Sequence, residues 1–279
     1  MFEENIVLQT ESMTSESAHS EEADYLQGYL RQQMLQEYID LIKESKRLCT
    51  IPIIASINCY GNGEWAAFAE LIEKAGADAL ELNVMSIRTS VEYNDGDFEN
   101  QHIDILRSVK SRIKIPVIVK LGSNLSNPVS LINRLHAYGA AGVVLFNRFY
   151  QPDIDIDKME YTSGHVFSSE ADLAPSLRWT GIASAAVKQL DYAVSGGVHG
   201  GNDIVKSILV GASAVEVCSA IYLKGEAWIK PALECVRTWQ EQHGYSSPAD
   251  YRGKMNARDT EHAVKLDRTQ FLKYFEVHK

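Results

Sequence analysis

No stretch of this 279-residue chain approaches the ~20 consecutive apolar residues of a membrane span. The longest apolar run, around Ala140 to Phe146, has the length of a buried strand. Basic residues are scarce as well: 27 Lys and Arg stand against 37 Asp and Glu, a formal charge of -10. That leaves no surplus of positive charge for a nucleic acid or an anionic membrane surface. The N-terminal MFEENIVLQTESMTSES is acidic and polar where a signal peptide would be basic and then apolar, so a cytosolic location is expected. The four cysteines, Cys49, Cys59, Cys218 and Cys235, form no CxxC pair and no zinc-spaced set with histidines. They read as reduced thiols, with no disulfide or metal framework. Asp153, Asp155 and Asp157 have the opening spacing of a calcium loop, but Lys158 stands where glycine is needed and no glutamate follows at the right offset. The segment therefore reads as a solvated loop edge. No GxGxxG follows a first strand, which removes the usual mark of an open dinucleotide-binding sheet.

What is present is the composition of a globular protein, 45% hydrophobic and 23% charged, on a chain long enough to bury a core without staples. From residue 24 the sequence becomes rhythmic. Leu26, Leu30, Leu35, Tyr38 and Ile42 recur at helical spacing. The β-branched run IPIIASIN then ends at the turn signal Gly61-Asn62-Gly63. Helix GEWAAFAELIEKAG, closed by Gly76, precedes strand ADALELNV, and helix HIDILRSVKSR precedes strand IPVIVKLG. Helix NPVSLINRLHAYG leads to AGVVLFN, RWTGIASAAVKQ to DYAVSGG, and NDIVKSILVG to ASAVEVCS. A last long helix is closed by Gly244. Strands that alternate with helices, and that are apolar on both faces, mean βα units and a covered parallel sheet.

A (β/α)8 TIM barrel is favoured over an open sheet by the polar residues that close several apolar strands: Ser56 and Asn58, Glu81 and Asn83, Lys120, Asn147 and Ser195. Barrel active sites are built at strand C-termini. About six βα units are visible where a barrel has eight. The expectation is thus a barrel incomplete at its N-terminus, with Phe2 to Leu8 as the remnant of a strand or the loop after it. The expected organisation is a polar segment 1–23, a barrel over 24–256 and a helical tail over 257–279. The long insertion from about Tyr150 to Ser176 has the position of a lid or active-site loop. His165 and His199 lie near the barrel mouth and read as hydrogen-bonded loop residues.

In AVSGGVHGGNDIVKSILVGASAVEVCSA a strand opens into Ser195-Gly196-Gly197 and the next strand ends at Cys218-Ser219. Glycine lets backbone amides approach an anion, and the loops after the last two strands are the usual phosphate site of such barrels. With ADALELN, PVIVKLG, VVLFNRF and the late ADYRGK, these residues make the chain, over about Ile51 to Asn256, resemble the FMN-dependent dihydroorotate dehydrogenases. It is most similar to the dihydroorotate dehydrogenase-like proteins of anaerobic bacteria.

The resemblance implies that Lys120 lies beside the flavin pyrimidine edge and steadies the reduced, anionic flavin. It implies that Asn83 and Asn147 line flavin and substrate, and that Ser195, Gly196, Gly197, Cys218 and Ser219 cradle the FMN phosphate. It places Ser86 as the base that takes a proton while hydride leaves for the flavin, with Cys59 a lesser candidate. Two residues depart from the family: Ile87-Arg88 replaces Pro-Asn, and Arg148 replaces the serine that often follows the Asn147 position. Arg88 and Arg148 suit an anionic substrate, since arginine grips carboxylates bidentately. The implied function is FMN-dependent oxidation of a CH–CH bond, dihydroorotate to orotate or a related anion, by a homodimer in pyrimidine biosynthesis. The residues alone leave two alternatives open: a flavin-free barrel isomerase or aldolase acting on a phosphorylated metabolite, with Lys120 forming a Schiff base, and an inactive truncated barrel.

Overall fold

The computed structural model describes residues 20–59 and 65–269, with side chains from Gln32 onward. The segment Phe2 to Leu8, the Gly61-Asn62-Gly63 turn, the side chains of Leu26 and Leu30, and residues 270–279 lie outside the described part. Six parallel strands alternate with helices, as expected of part of an α/β barrel, and follow one another in chain order across one sheet. The chain divides into two compact units, Met1–Ile118 and Val119–Lys279, with the division inside the third strand. Among the described residues no helix is long and apolar enough to cross a membrane.

The first unit holds α1 (Ser20–Leu48), β1 (Ile54–Cys59), α2 (Trp65–Ala75), β2 (Ala79–Val84) and α3 (Asp97–Lys110). β1 and β2 run parallel in the register Ser56 to Glu81 and Asn58 to Asn83. Every residue of β2 except Asn83 is buried, so both faces of that strand are covered. Gly76 ends α2 in the left-handed conformation expected of a helix-terminal glycine, φ +96°. On β1, Tyr38 of α1 donates its hydroxyl proton to the Ser56 carbonyl at 3.0 Å and accepts from the Ser56 amide at 2.9 Å. One phenol thus satisfies two backbone groups of β1.

His102 on α3 is fully buried against Phe98, edge to face at 4.8 Å, and its Nδ1 donates to the Phe98 carbonyl at 2.7 Å. Burial lowers its pKa, against smaller upward pulls from that carbonyl and Glu99. The folded chain therefore keeps this imidazole neutral below the pH at which the unfolded chain, with a pKa near 6.5, takes up a proton. Stability is expected to be level above pH 6.5 and to fall as pH drops below it, at up to about 1.4 kcal/mol per pH unit from this residue. Thermal melts from pH 5 to 8 check this: His102→Phe should flatten the acid limb, and an identical limb in both proteins would refute it.

The second unit contains the rest of β3 (Val117–Gly122), then α4 (Pro128–Ala137), β4 (Gly142–Asn147) and a separate antiparallel hairpin, β5 (Pro152–Asp155) with β6 (Glu160–Ser163). After it come α5 (Leu173–Ala186), β7 (Asp191–Val194), α6 (Gly201–Leu209), β8 (Ala214–Val215), α7 (Ser219–Lys224), α8 (Ile229–Gln242) and α9 (Thr260–Asp267). Asn127 caps α4 by accepting from the Ser130 amide, with Pro128 at the first helical position. β4 is buried throughout except at Asn147.

The insertion is a solvent-exposed hairpin followed by a loop. Two expectations shift here. α5 starts at Leu173, five residues before Arg178, because the Asp172 carboxylate accepts from the Ser169 amide at 2.6 Å and closes the turn before it. β8 is only two residues long where ASAVEVCS suggested a full strand: among the described residues it pairs with β7, and the chain turns into α7 at Ser219. The tail helix α9 docks within this unit, with Leu266 against Gly181 of α5 and the Ala257 amide donating to the Gly181 carbonyl at 3.0 Å.

Candidate functional site

In the first unit the polar residues that close the strands meet one another. Ser56 donates to the buried Glu81 carboxylate at 2.6 Å. One strand turn later, Asn83 Nδ2 donates to Asn58 Oδ1. Hydrogen-bonded amides side by side at two adjacent strand ends form a fixed polar surface, as a site that recognises a planar polar ligand requires. Ser86 follows β2 by two residues and is half-buried. Arg88 is exposed and donates to Gln101 Oε1. Cys59 is 2% exposed, and desolvation pushes its thiol up to about 12. A thiol protonated at every working pH is a poor proton acceptor, so Cys59 is a small core residue and the lesser candidate drops out. A cavity of about 850 Å³ lies between α1 and α2 among Gln32, Gln36, Asp40, Lys43 and Lys74. It is lined by none of these strand-end residues.

In the second unit Lys120 projects from β3 between the fully buried Val119 and Leu121, so strand alternation puts it on the face opposite those two side chains. Its ammonium meets the Glu216 carboxylate, just after β8, at 2.5 Å. β4 and β7 lie between β3 and β8 in the sheet order, about 14 Å across a flat sheet. Side chains stand roughly perpendicular to a sheet. The two charges therefore meet because the sheet curls toward that face, as a barrel wall does.

The Ser195-Gly196-Gly197 turn is anchored at its start. The Ser195 amide donates to the Leu145 carbonyl at 2.8 Å, and its carbonyl accepts from Ser176 Oγ at 2.9 Å. Gly196 and Gly197 then adopt φ of +86° and +73°, a left-handed pair that glycine holds without strain. Among the described residues neither of their amides donates to a backbone acceptor, which leaves two N–H donors for an anion. Farther along, Asp203 accepts from the His199 and Gly200 amides, both at 3.1 Å, and so ties the loop to the start of α6. The second glycine pair has another purpose: a Cβ at Gly201 would lie 2.5 Å from the Cys235 Cβ, so Gly201 lets α6 pack closely on α8.

The insertion reaches this cradle. The Ser168 amide donates to Ser219 Oγ at 3.0 Å, while Ser168 Oγ lies 3.1 Å from His199 Nε2. One serine thus joins the loops after β7 and β8. His199 is a hydrogen-bonded loop residue, as expected. Cys218 is exposed immediately before α7, and Asn147 is half-buried at the end of β4. Arg148 donates through Nη2 to the His165 carbonyl at 2.9 Å and to the Val166 carbonyl. In this conformation it pins the insertion. Sequence reasoning missed Ser168 and Glu216. Glu216 obeys the same rule that singled out Lys120, a charge closing an apolar strand, whereas nothing local marks Ser168.

The family model described as dihydroorotate dehydrogenase matches residues 23–236. The chain is 32% identical to the dihydroorotate dehydrogenase B (NAD(+)) catalytic subunit of Pyrococcus furiosus over 211 residues, 72% of this chain and 68% of that one. The proteins of the same name from Thermoplasma volcanium and Methanosarcina acetivorans are 27% and 28% identical to it, over 214 and 218 residues. Each of those alignments covers 75% of this chain and 68% of the relative.

Proposed function

The chain belongs to the dihydroorotate dehydrogenase family, oxidoreductases acting on CH–CH bonds, and from that premise we propose that it binds FMN and oxidises dihydroorotate or a closely related anionic substrate. The observation that carries this reading is that the second unit holds both a lysine on β3 and a turn of two left-handed glycines with two amide donors. The donor set fits the cofactor: N–H groups for a phosphate and a cation for the flavin ring. When bound, FMN would supply the acceptor for hydride leaving the substrate carbon.

The chain's own residues have the following parts. The Gly196 and Gly197 amides, with Ser195, Cys218 and Ser219, hold the phosphate. Lys120 offers positive charge where the reduced ring gathers negative charge, and a fixed cation needs no rearrangement at the moment of transfer. Asn147 supplies a directional amide. From the first unit the reading takes Ser86 as proton acceptor and Asn83 and Arg88 as substrate contacts. Arg148 serves by holding the insertion in place, and turns to substrate only if that loop opens. A homodimer and a cytosolic location complete the reading. NAD+ is the first acceptor to test, because it stands in the relatives' names.

The Schiff-base alternative fares worse. That chemistry needs a neutral amine, and Glu216 beside Lys120 favours the charged form.

The deciding experiment incubates the full chain with FMN, removes unbound flavin by gel filtration, and records the visible spectrum before and after anaerobic addition of dihydroorotate. Retained flavin that bleaches supports the whole reading. Retained flavin that does not bleach overturns the substrate. A colourless protein overturns the cofactor.

A further inference from the structure

We propose that Glu216 is a positioning residue that tunes Lys120: it aims the ammonium and, as a counter-charge, lowers the preference of this site for reduced over oxidised flavin. The inference rests on the flavin reading above. It starts from geometry independent of that reading, a lysine and a glutamate from strands separated by two others, in contact on the concave face of a curled sheet. The pair is sheltered, with side chains 17% and 31% exposed, so solvent screens it less than a surface pair. The Glu216 amide donates to the Val194 carbonyl at 2.9 Å, which fixes the backbone that carries the carboxylate.

An ammonium has three protons to donate. The one directed at Glu216 aims the group, so the position of the ammonium is set in advance. Charge gives the second effect. A lone ammonium would favour the anionic reduced ring strongly, and a carboxylate in contact with it cancels much of that field beyond the pair. The site is thereby set to hand electrons on readily. Lys120 has to reach the ring, but Glu216 need not touch it.

Glu216→Gln separates the two effects, because the amide oxygen still accepts from Lys120 while the charge is gone. The measurements are the midpoint potential of bound FMN and the affinity for oxidised FMN by fluorescence titration. We expect Glu216→Gln to raise the preference for reduced over oxidised flavin about tenfold, a positive shift of roughly 30 mV for a two-electron couple, with oxidised FMN bound as before. Glu216→Ala should shift the potential in the same direction by less, since the lysine is no longer aimed. It also keeps the test open should the glutamine variant fold poorly. Flavin bound at an unchanged or lowered potential in the variants overturns the role of Glu216 and leaves the cofactor reading standing. A wild-type chain that retains no flavin overturns both.

Discussion

Replacing Lys120 by methionine is expected to slow reduction of bound flavin by substrate by about 10²–10³-fold, the loss typical of removing one preorganised charge donor from a transition state. The lysine carries this weight because of its position. Val119 and Leu121 on either side of it are wholly buried, so the strand cannot rotate the ammonium away without exposing them. Methionine keeps much of the stem and removes only the charge. Stability should change less: Glu216 is 31% exposed in the pair and can hydrate once the ammonium is gone, for a loss of about 1–2 kcal/mol. The double variant Lys120→Met, Glu216→Gln should recover that stability without recovering the rate. Stopped-flow flavin bleaching alongside thermal melts reads both. A methionine variant that reduces its flavin at the wild-type rate would remove Lys120 from the chemistry altogether.

Lys120 was legible in the sequence but its partnership with Glu216 was not, which is a question of distance along the chain. Lys120 interrupts IPVIVKLG, and a charge inside an apolar strand is unusual enough to flag on its own. Its meaning depends on a residue 96 positions later, brought near only by the curl of a sheet that no local pattern encodes. The same holds for Ser168, which looks like any loop serine until folding places it against Ser219 and His199. Arg148 has a second role that its sequence position does not show. Two arginines near a barrel mouth suggest anion recognition, yet backbone carbonyls of a nearby loop satisfy a guanidinium just as well. Alternating helices and strands gave the βα rhythm directly, because periodicity is a local property. The short β8 departs from it because strand length depends on partners: ASAVEVCS has the composition of a strand, but among the described residues β7 pairs with it at two positions, Ala214 and Val215. The early start of α5 was legible in principle, since Ser169 and Asp172 have the spacing of a capping box.

Gly197→Ala is expected to be the most destabilising change in the phosphate loop, and for a reason unrelated to any ligand. A Cβ at Gly197 would lie 2.3 Å from the Leu173 amide nitrogen and 2.8 Å from the Asp172 carbonyl carbon, both backbone atoms at the start of α5. Backbone there cannot swing aside as a flexible side chain would. The left-handed φ of +73° adds about 1–2 kcal/mol for any residue with a Cβ, and displacing the helix start adds roughly 1–3 kcal/mol. The total, about 2–5 kcal/mol, corresponds to a fall in Tm of roughly 5–15 °C for a chain of this size. Gly196 makes the comparison informative. It has a similar φ of +86°, but the nearest atom to a Cβ there is the Phe146 carbonyl oxygen at 3.7 Å, so Gly196→Ala meets only the conformational part, about 1–2 kcal/mol. The neighbouring variants should therefore separate clearly in a thermal melt. Because Gly196→Ala stays folded, its affinity for FMN reports on the anion contact itself. If both variants melted within 2 °C of the wild type, the close approach of this turn to the start of α5 would be wrong. The two glycines would then be required by nothing in the fold.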